Sequence, residues 1–239
     1  MSSYTFMVCP HDTSNNPDKW LYFAQYLSLN SPIRVRLEMS FDFQDFHENF
    51  LQADMVYANP NDAMRFVGET GGRALAHPAG VYDEIVMVNP ADQPSPLAGF
   101  DGAEVLSVEK MLVTGIGLRA LAKQNIQPAG IKNVASWLAV VNELRQGNGR
   151  FGFIYKDTFE MLSETNRANL HPVYTSQEQT LFHSLVISPK LSDVAEALLQ
   201  TLTHMTQSAE GHTVLQELGF SHWLPVTPNE WQVQQEMQG

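Results

Sequence analysis

An apolar run near the start of the chain, YTFMVCP (Tyr4–Pro10), ends at a proline and predicts a buried strand. Loop-forming residues follow in HDTSNNPDKW. The period then changes. Trp20, Phe23, Ala24 and Leu27 recur at helical spacing behind Pro17, which sits near the helix start. IRVRLEMS alternates and predicts a second strand, and FQDFHENFLQA a short helix. DMVYANP predicts a third strand stopped by Asn-Pro, and NDAMRFVGET a helix capped by Asn61 or Asp62. ALAHPA is short and extended, and YDEIVMVNP is a longer strand. Such alternation predicts an α/β layer of mainly parallel strands.

The proline-rich NPADQPSPLAGFDG breaks the pattern and predicts a surface excursion. The alternation then resumes. AEVLSV predicts a strand, TGIGLRALAKQN a helix, and IQPAGIKNVASW a turn with a short strand. SWLAVVNELRQG predicts a helix ending at Gly147, GRFGFIY a strand, and DTFEMLSETN a helix capped by Asp157. LHPVYTS and QTLFHSLVIS predict two more strands, the second long and apolar. LSDVAEALLQTLTHMTQSAEGHTVLQEL predicts helix with Ser192 as its cap, and GFSHWLPVTPNEWQVQQEMQ a closing turn and helix. No internal repeat and no low-complexity segment is present. The pattern is two α/β blocks.

Composition narrows the function classes. The 239 residues suffice for one large domain or two small ones. A net charge of −12 argues against a nucleic-acid or anionic-membrane surface. It also makes an anionic ligand depend on local dipoles and a few placed cations. One cysteine, Cys9, excludes an internal disulfide and a Cys-based zinc cluster. No run is apolar for the length of a membrane span. Met1-Ser-Ser leads straight into the first strand without a signal-peptide pattern. The expectation is a cytoplasmic protein if the chain is complete, and a periplasmic one if it is a trimmed mature form.

Several segments resemble the phosphate/phosphite/phosphonate-binding family of ABC-transporter substrate-binding proteins. CPHDTSNNPDKWLYFAQYLS is similar to the family's first strand, loop and helix, and LQADMVYANPNDAMRF to its second cleft-facing segment. ALAHPAGVYDEIVMVNP resembles the crossing strand, GNGRFGFIYKDTFEML a later strand and helix, and LGFSHWLPVTPNEW the closing tail. The resemblance implies an α/β, two-lobed type II periplasmic-binding-protein fold with an interlobe cleft. Lobe 1 is expected at 1–82 plus 188–239, and lobe 2 at 83–187. Crossings are expected near Tyr82–Val88 and Phe182–Ile187. The departure falls in EKMLVTG. There the family carries a Ser/Thr-rich turn that offers hydroxyls and backbone N–H groups to an oxyanion, and this chain keeps only Thr114 and Gly115. The helix that starts there still has its dipole and free N–H groups.

Candidate ligand-binding residues follow. Thr114 serves as a helix cap, as a ligand contact, or as both, and Gly115 accompanies it. Met111 and Leu112 suit core or cleft wall. Tyr57 and Asn59 end the third strand, where open α/β sheets bind ligands; the alternative is a core aromatic and a turn former. Tyr155 and Lys156 end a strand of the second block. Lys156 is either a solvated lysine or the local cation an acidic anion binder needs. Cys9 and His11 in CPHD are expected to touch ligand, because the family's loop lines the cleft; a metal site there lacks a second ligand cluster. His77 and His183 are expected to be structural. No cofactor and no metal is expected, since no P-loop, H-E-x-x-H or G-x-S-x-G motif is present.

The leading expectation is a solute-binding protein that closes two lobes on an oxyanion or small polar organic molecule, for transport or sensing. Its partners are the ligand and an ABC permease or a sensor, with no nucleic acid and no membrane insertion. A second reading is a cytoplasmic enzyme on the same bilobal fold, of the menaquinone- or thiamine-precursor-pathway type. A third is a detached regulatory effector domain.

Overall fold

The computed structural model describes residues 3–13, 16–40, 42–109 and 111–237. In chain order the elements begin with β1 (Ser3–Val8), α1 (Pro10–Thr13), α2 (Asp18–Asn30), β2 (Arg34–Glu38), α3 (Phe43–Asn49), β3 (Met55–Ala58), α4 (Pro60–Thr70) and β4 (Arg73–Pro78). There follow β5 (Ile85–Pro90), β6 (Glu104–Ser107), α5 (Leu112–Ala122), β7 (Gly130–Asn133), α6 (Trp137–Arg145), β8 (Phe151–Tyr155), α7 (Lys156–Met161), α8 (Glu164–Ala168) and β9 (Leu170–Thr175). The chain closes with β10 (Ser184–Ile187), α9 (Ala195–Thr203), α10 (Ala209–Leu218), β11 (Trp223–Pro225) and α11 (Pro228–Glu236).

The chain divides into two compact units, Met1–Val81 with Phe182–Gly239, and Tyr82–Leu181. The segment 182–187, expected with the second block, therefore lies in the first unit. The reason is strand pairing. β10 inserts antiparallel between β3 and β4, with Ser184 opposite Ala58 and Leu185 opposite Ala76.

The first unit holds a six-stranded sheet in the order β11-β4-β10-β3-β1-β2. β1 pairs in parallel with β2 and β3, while β10 and β11 run antiparallel to their neighbours. Both faces are covered. Phe6 and Val8 join one core cluster with Trp20, Phe23 and Leu198, and Met7 and Cys9 join the other with Phe46, Phe50 and Phe66. A strand buried on both faces has no polar alternation, which is why YTFMVC reads as one apolar run. Aromatic contacts tie α2 to the sheet: the Trp20 and Tyr57 rings lie 4.6 Å apart, and Phe23 stacks on Trp223 at 5.5 Å.

The second unit holds a five-stranded sheet in the order β7-β6-β8-β5-β9. β6 is parallel to β7 and β8, and β5 is antiparallel to both β8 and β9. The expected mainly parallel layer is thus a mixed one in each unit. Apolar runs such as IVMV and SLVI show that both faces of a strand are covered, and carry no information on its direction. Val86, Val88, Leu106, Ile154 and Leu144 form part of this unit's core. α5 packs tightly on the sheet because Gly117 lacks a side chain; a Cβ there would sit 2.6 Å from the Phe153 ring. The long helix expected over 191–218 is broken, with 3-10 turns at Pro189–Val194 and Met205–Gln207 flanking α9. Ser192 lies inside the first of these turns and caps nothing; Val194 precedes α9.

Candidate functional site

In each unit the first parallel strands run in a doubly wound order, and the chain reverses direction across the sheet beside one strand. That strand is β1, between β2 and β3, in the first unit and β6, between β7 and β8, in the second. The carboxyl ends of strands at such a reversal are where open α/β sheets take ligands. Most of the candidate residues fall at these ends.

At the carboxyl end of the first sheet the Cys9 amide donates to the Tyr57 carbonyl at 2.9 Å, continuing the β1–β3 ladder. Cys9 and Tyr57 are both fully buried. Asn59 caps α4, a role the sequence suggested for Asn61 or Asp62. Its Oδ1 accepts from the Asp62 amide at 3.1 Å, and its Nδ2 donates to Asp62 Oδ2 at 2.7 Å. Pro60 fills the first helical position, where no donor is needed. Asp62 Oδ1 in turn lies 2.9 Å from His47 Nε2. His11 lies in α1, and its side chain falls outside the described residues. Beside it Asp12 Oδ2 is 3.0 Å from His183 Nδ1, and the His183 ring is 5.7 Å from that of Tyr57. Asp12 and His183 thus join β10 to the α1 turn, a pairing of positions 171 residues apart that no local pattern signals. Ser184, the next residue, is fully buried, and its hydroxyl has no partner among the described residues.

At the corresponding end of the second sheet, β6 delivers Ser107 to the turn before α5. Thr114 is not the cap of α5; Met111 holds that position and gives no side-chain hydrogen bond. Thr114 lies in the first turn, is 3% exposed, and donates its hydroxyl proton to the Val108 carbonyl at 2.8 Å. Its oxygen accepts from Ser107 Oγ at 2.8 Å. The Thr114 amide donates to the Met111 carbonyl at 2.9 Å. The amides of Leu112 and Val113 precede any intrahelical partner. Gly115 has open space where a Cβ would project. Met111 and Leu112 are half-buried, and Val113 is in the core.

Tyr155 ends β8 nearly buried and donates its hydroxyl to Asp83 Oδ1 at 2.8 Å, with Asp157 Oδ2 at 3.2 Å. Lys156 begins α7, and its ammonium pairs with Glu160 at 2.7 Å. The Glu160 hydrogen bond raises the Lys156 pKa, against a smaller opposing effect of burial. Glu84, also buried, accepts from the Ser176 hydroxyl and from the Gln179 amide, the latter at 2.8 Å. Asp83 and Glu84 went unnoticed in the sequence. Their signal was the acid pair standing directly before the apolar IVMV. Among the described residues no group of three or more His, Cys, Asp or Glu side chains is placed to hold a metal.

A mixed α/β chain in two units, with polar turns and helix starts at the carboxyl ends of its parallel strands, has the build of a type II periplasmic binding protein. Residues 6–231 match the sequence profile of the family described as "ABC transporter, phosphonate, periplasmic substrate-binding protein", and the chain belongs to that family. It has a solute-binding role. Solved structures agree on the fold. One is a Prochlorococcus marinus protein in complex with methylphosphonate, 12% identical, with a TM-score of 0.72 over 98% of this chain and 96% of that one. Another is a binding-protein component of an ABC phosphonate transporter from Pseudomonas aeruginosa, 16% identical, with a TM-score of 0.69 over 99% and 85%. A third, from Xanthomonas citri and bound to chloride ion, is 15% identical with a TM-score of 0.71 over 100% and 96%. No curated protein sequence matches this chain. Among the described residues no helix is long and apolar enough to cross a membrane.

Proposed function

We propose that this protein captures a small organic molecule with an anionic oxygen head and an apolar portion, and presents it to an ABC permease. The observation that carries this reading is the bare start of α5. Six other helices, α3, α4, α6, α8, α10 and α11, begin with an Asp, Asn, Ser or Thr side chain that accepts from their own first turn, while α2, α7 and α9 share the uncapped start of α5. α5 begins at Met111 with no such acceptor, at the carboxyl end of β6. An anionic oxygen at that point would accept from the Leu112 and Val113 amides and lie at the positive end of the helix dipole. Gly115 leaves the approach open. Met111 and Leu112 offer apolar surface where a Ser/Thr-rich turn would offer hydroxyls. Thr114 contributes by holding the turn in shape, since its hydroxyl is committed to Val108.

The remaining ligand-binding candidates, Cys9, His11, Tyr57, Asn59, Tyr155 and Lys156, belong to the same reading as residues that form or support the carboxyl-end surfaces. Lys156 is the nearest cation in sequence to Tyr155, and its partner Glu160 would have to release it to meet an anion. Family membership supports a periplasmic location and a permease partner, and cell fractionation of the native host protein reads the location directly.

Calorimetry tests the ligand class. Phosphate, phosphite and methylphosphonate are compared with larger alkyl- and arylphosphonates and sulfonates. The larger organic anions are expected to bind more tightly. Each charge-assisted hydrogen bond absent from the turn costs about 1.5–3 kcal/mol, or roughly ten- to a hundredfold in affinity for the small anions. Submicromolar binding of phosphate with no gain from an apolar group would overturn the reading, as would failure of every anion to bind.

A further inference from the structure

The chain leaves the first unit after Val81 and re-enters it at Phe182. These two places are tied together inside that unit. His77, near the end of β4, is fully buried and stacks on the Phe182 ring at 4.1 Å. α11 reaches the same spot with two side chains one turn apart, Glu230 and Gln234. Gln234 is fully buried. Its Oε1 accepts from the Phe182 amide at 3.4 Å, and its Nε2 has no partner among the described residues. Glu230 divides its carboxylate. Oε2 accepts from the Thr227 amide and hydroxyl at 2.8 and 2.7 Å, closing the capping box of α11. Oε1 lies 3.6 Å from His77 Nε2, just beyond hydrogen-bond distance.

The His77 ring therefore has an acceptor on each side. Nδ1 lies 3.2 Å from the Pro78 carbonyl, and Nε2 faces the Glu230 carboxylate. A neutral imidazole has one N–H to give, so it serves one acceptor and turns a lone pair on the other. Only the imidazolium serves both. It would also lie over the face of Phe182, where a cation is attracted. Burial opposes the charge. Glu230 gives the proton a way in, since its side chain is 35% exposed. The charged groups on the other elements packed against β4 are engaged elsewhere or face water. Asp62 of α4 is held by Asn59 and His47, and Arg65 pairs with Glu69. His183, just before β10, meets Asp12. Glu196 of α9 and His222 beside β11 are exposed.

We propose that His77, Glu230 and Gln234 form a proton-operated latch in the first unit. Proton uptake by His77 draws Glu230 into a hydrogen bond, seats α11 on β4, and firms the hold of Gln234 on the Phe182 amide. Acid thus stiffens the point where the chain leaves and re-enters the unit. Its bearing on ligand capture rests on the proposed closure of the two units, whereas the latch itself is read in ligand-free protein.

Nuclear magnetic resonance of the 15N-labelled, ligand-free protein tests this across the range in which histidine titrates. His77→Phe assigns the ring signals. In the folded protein the ring is expected to gain its second proton below the ordinary 6.5, because burial lowers its pKa. Over the same interval the Phe182 amide should gain roughly tenfold in protection against hydrogen exchange, relative to the Val56 amide in the middle of the sheet. Glu230→Gln keeps an acceptor for the cap. It should move the His77 titration further down and abolish the Phe182 gain. Gln234→Leu should leave the His77 titration in place and also abolish the gain. Global unfolding before His77 titrates, an unchanged Phe182 ratio, a response that follows His183 instead, or a gain that persists in Glu230→Gln would each overturn the proposal.

Discussion

Thr114 and Val108 are joined by a hydrogen bond of 2.8 Å, in which the buried threonine hydroxyl donates to the carbonyl of the turn. The same oxygen accepts from Ser107. One hydroxyl thus satisfies a buried serine and a turn carbonyl. In Thr114→Val both lose their partner, and the loss of stability is expected to be about 1–3 kcal/mol. Thr114→Ser should restore most of it. Ligand affinity, measured on folded protein, should change little in either variant, because the proposed anion contacts are backbone amides. Urea unfolding and calorimetry on the same samples separate the two effects. A large affinity loss with unchanged stability would show that the hydroxyl faces the ligand.

Asn59 is expected to behave as a structural cap with a wider reach. It closes the first turn of α4 and holds Asp62, which also meets His47. Asn59→Ala should cost about 0.5–2 kcal/mol, and Asn59→Ser less, since serine keeps a cap acceptor. Denaturant midpoints check this. Equal stability of all three proteins would mean that the cap is not formed.

The sequence displayed the alternation of strands and helices because burial on both faces leaves an unmistakable apolar run, as in Phe6–Cys9. It did not display strand direction. Leu185, Val186 and Ile187 look alike in either orientation, and only the pairing with β3 and β4 assigns them to the first unit. Positions at strand ends, such as Tyr57, Asn59 and Tyr155, were legible because a strand stops visibly at Asn-Pro or at a charged residue. Their partners were not. Asp12 with His183 and Tyr155 with Asp83 are contacts between distant segments, and no periodicity encodes them. The internal use of the Thr114 hydroxyl was hidden for a different reason. A threonine at a helix start looks the same whether it turns outward or back to the preceding strand.

Ligand capture is expected to compact the protein, as hinge closure does in binding proteins. Small-angle scattering with and without a saturating organic anion measures the radius of gyration. An unchanged profile at saturation would count against capture by closure while leaving binding itself to the calorimetry.

The pH dependence of stability should show two separate windows. His77 is fully buried, stacks on Phe182 at 4.1 Å, and has Nδ1 3.2 Å from the Pro78 carbonyl. Burial lowers its pKa below the ordinary 6.5, and the partly offsetting influence is Glu230, 3.6 Å from Nε2. The unfolded chain therefore takes up a proton at this position before the folded one does. Stability contributed by the neutral ring is complete above the unfolded value of 6.5 and falls as pH drops below it. Asp54 acts lower on the scale. Burial pushes its pKa up, but the Lys190 ammonium at 2.9 Å and the Thr5 amide and hydroxyl outweigh that and bring it below 3.8. Its contribution is present above the unfolded value of 3.8 and is lost as pH falls through the depressed folded value. Urea midpoints across the acid range should thus fall first near neutrality and again in strong acid. His77→Phe should remove the first fall and Asp54→Asn the second. Persistence of the first fall in His77→Phe would assign that window to another group.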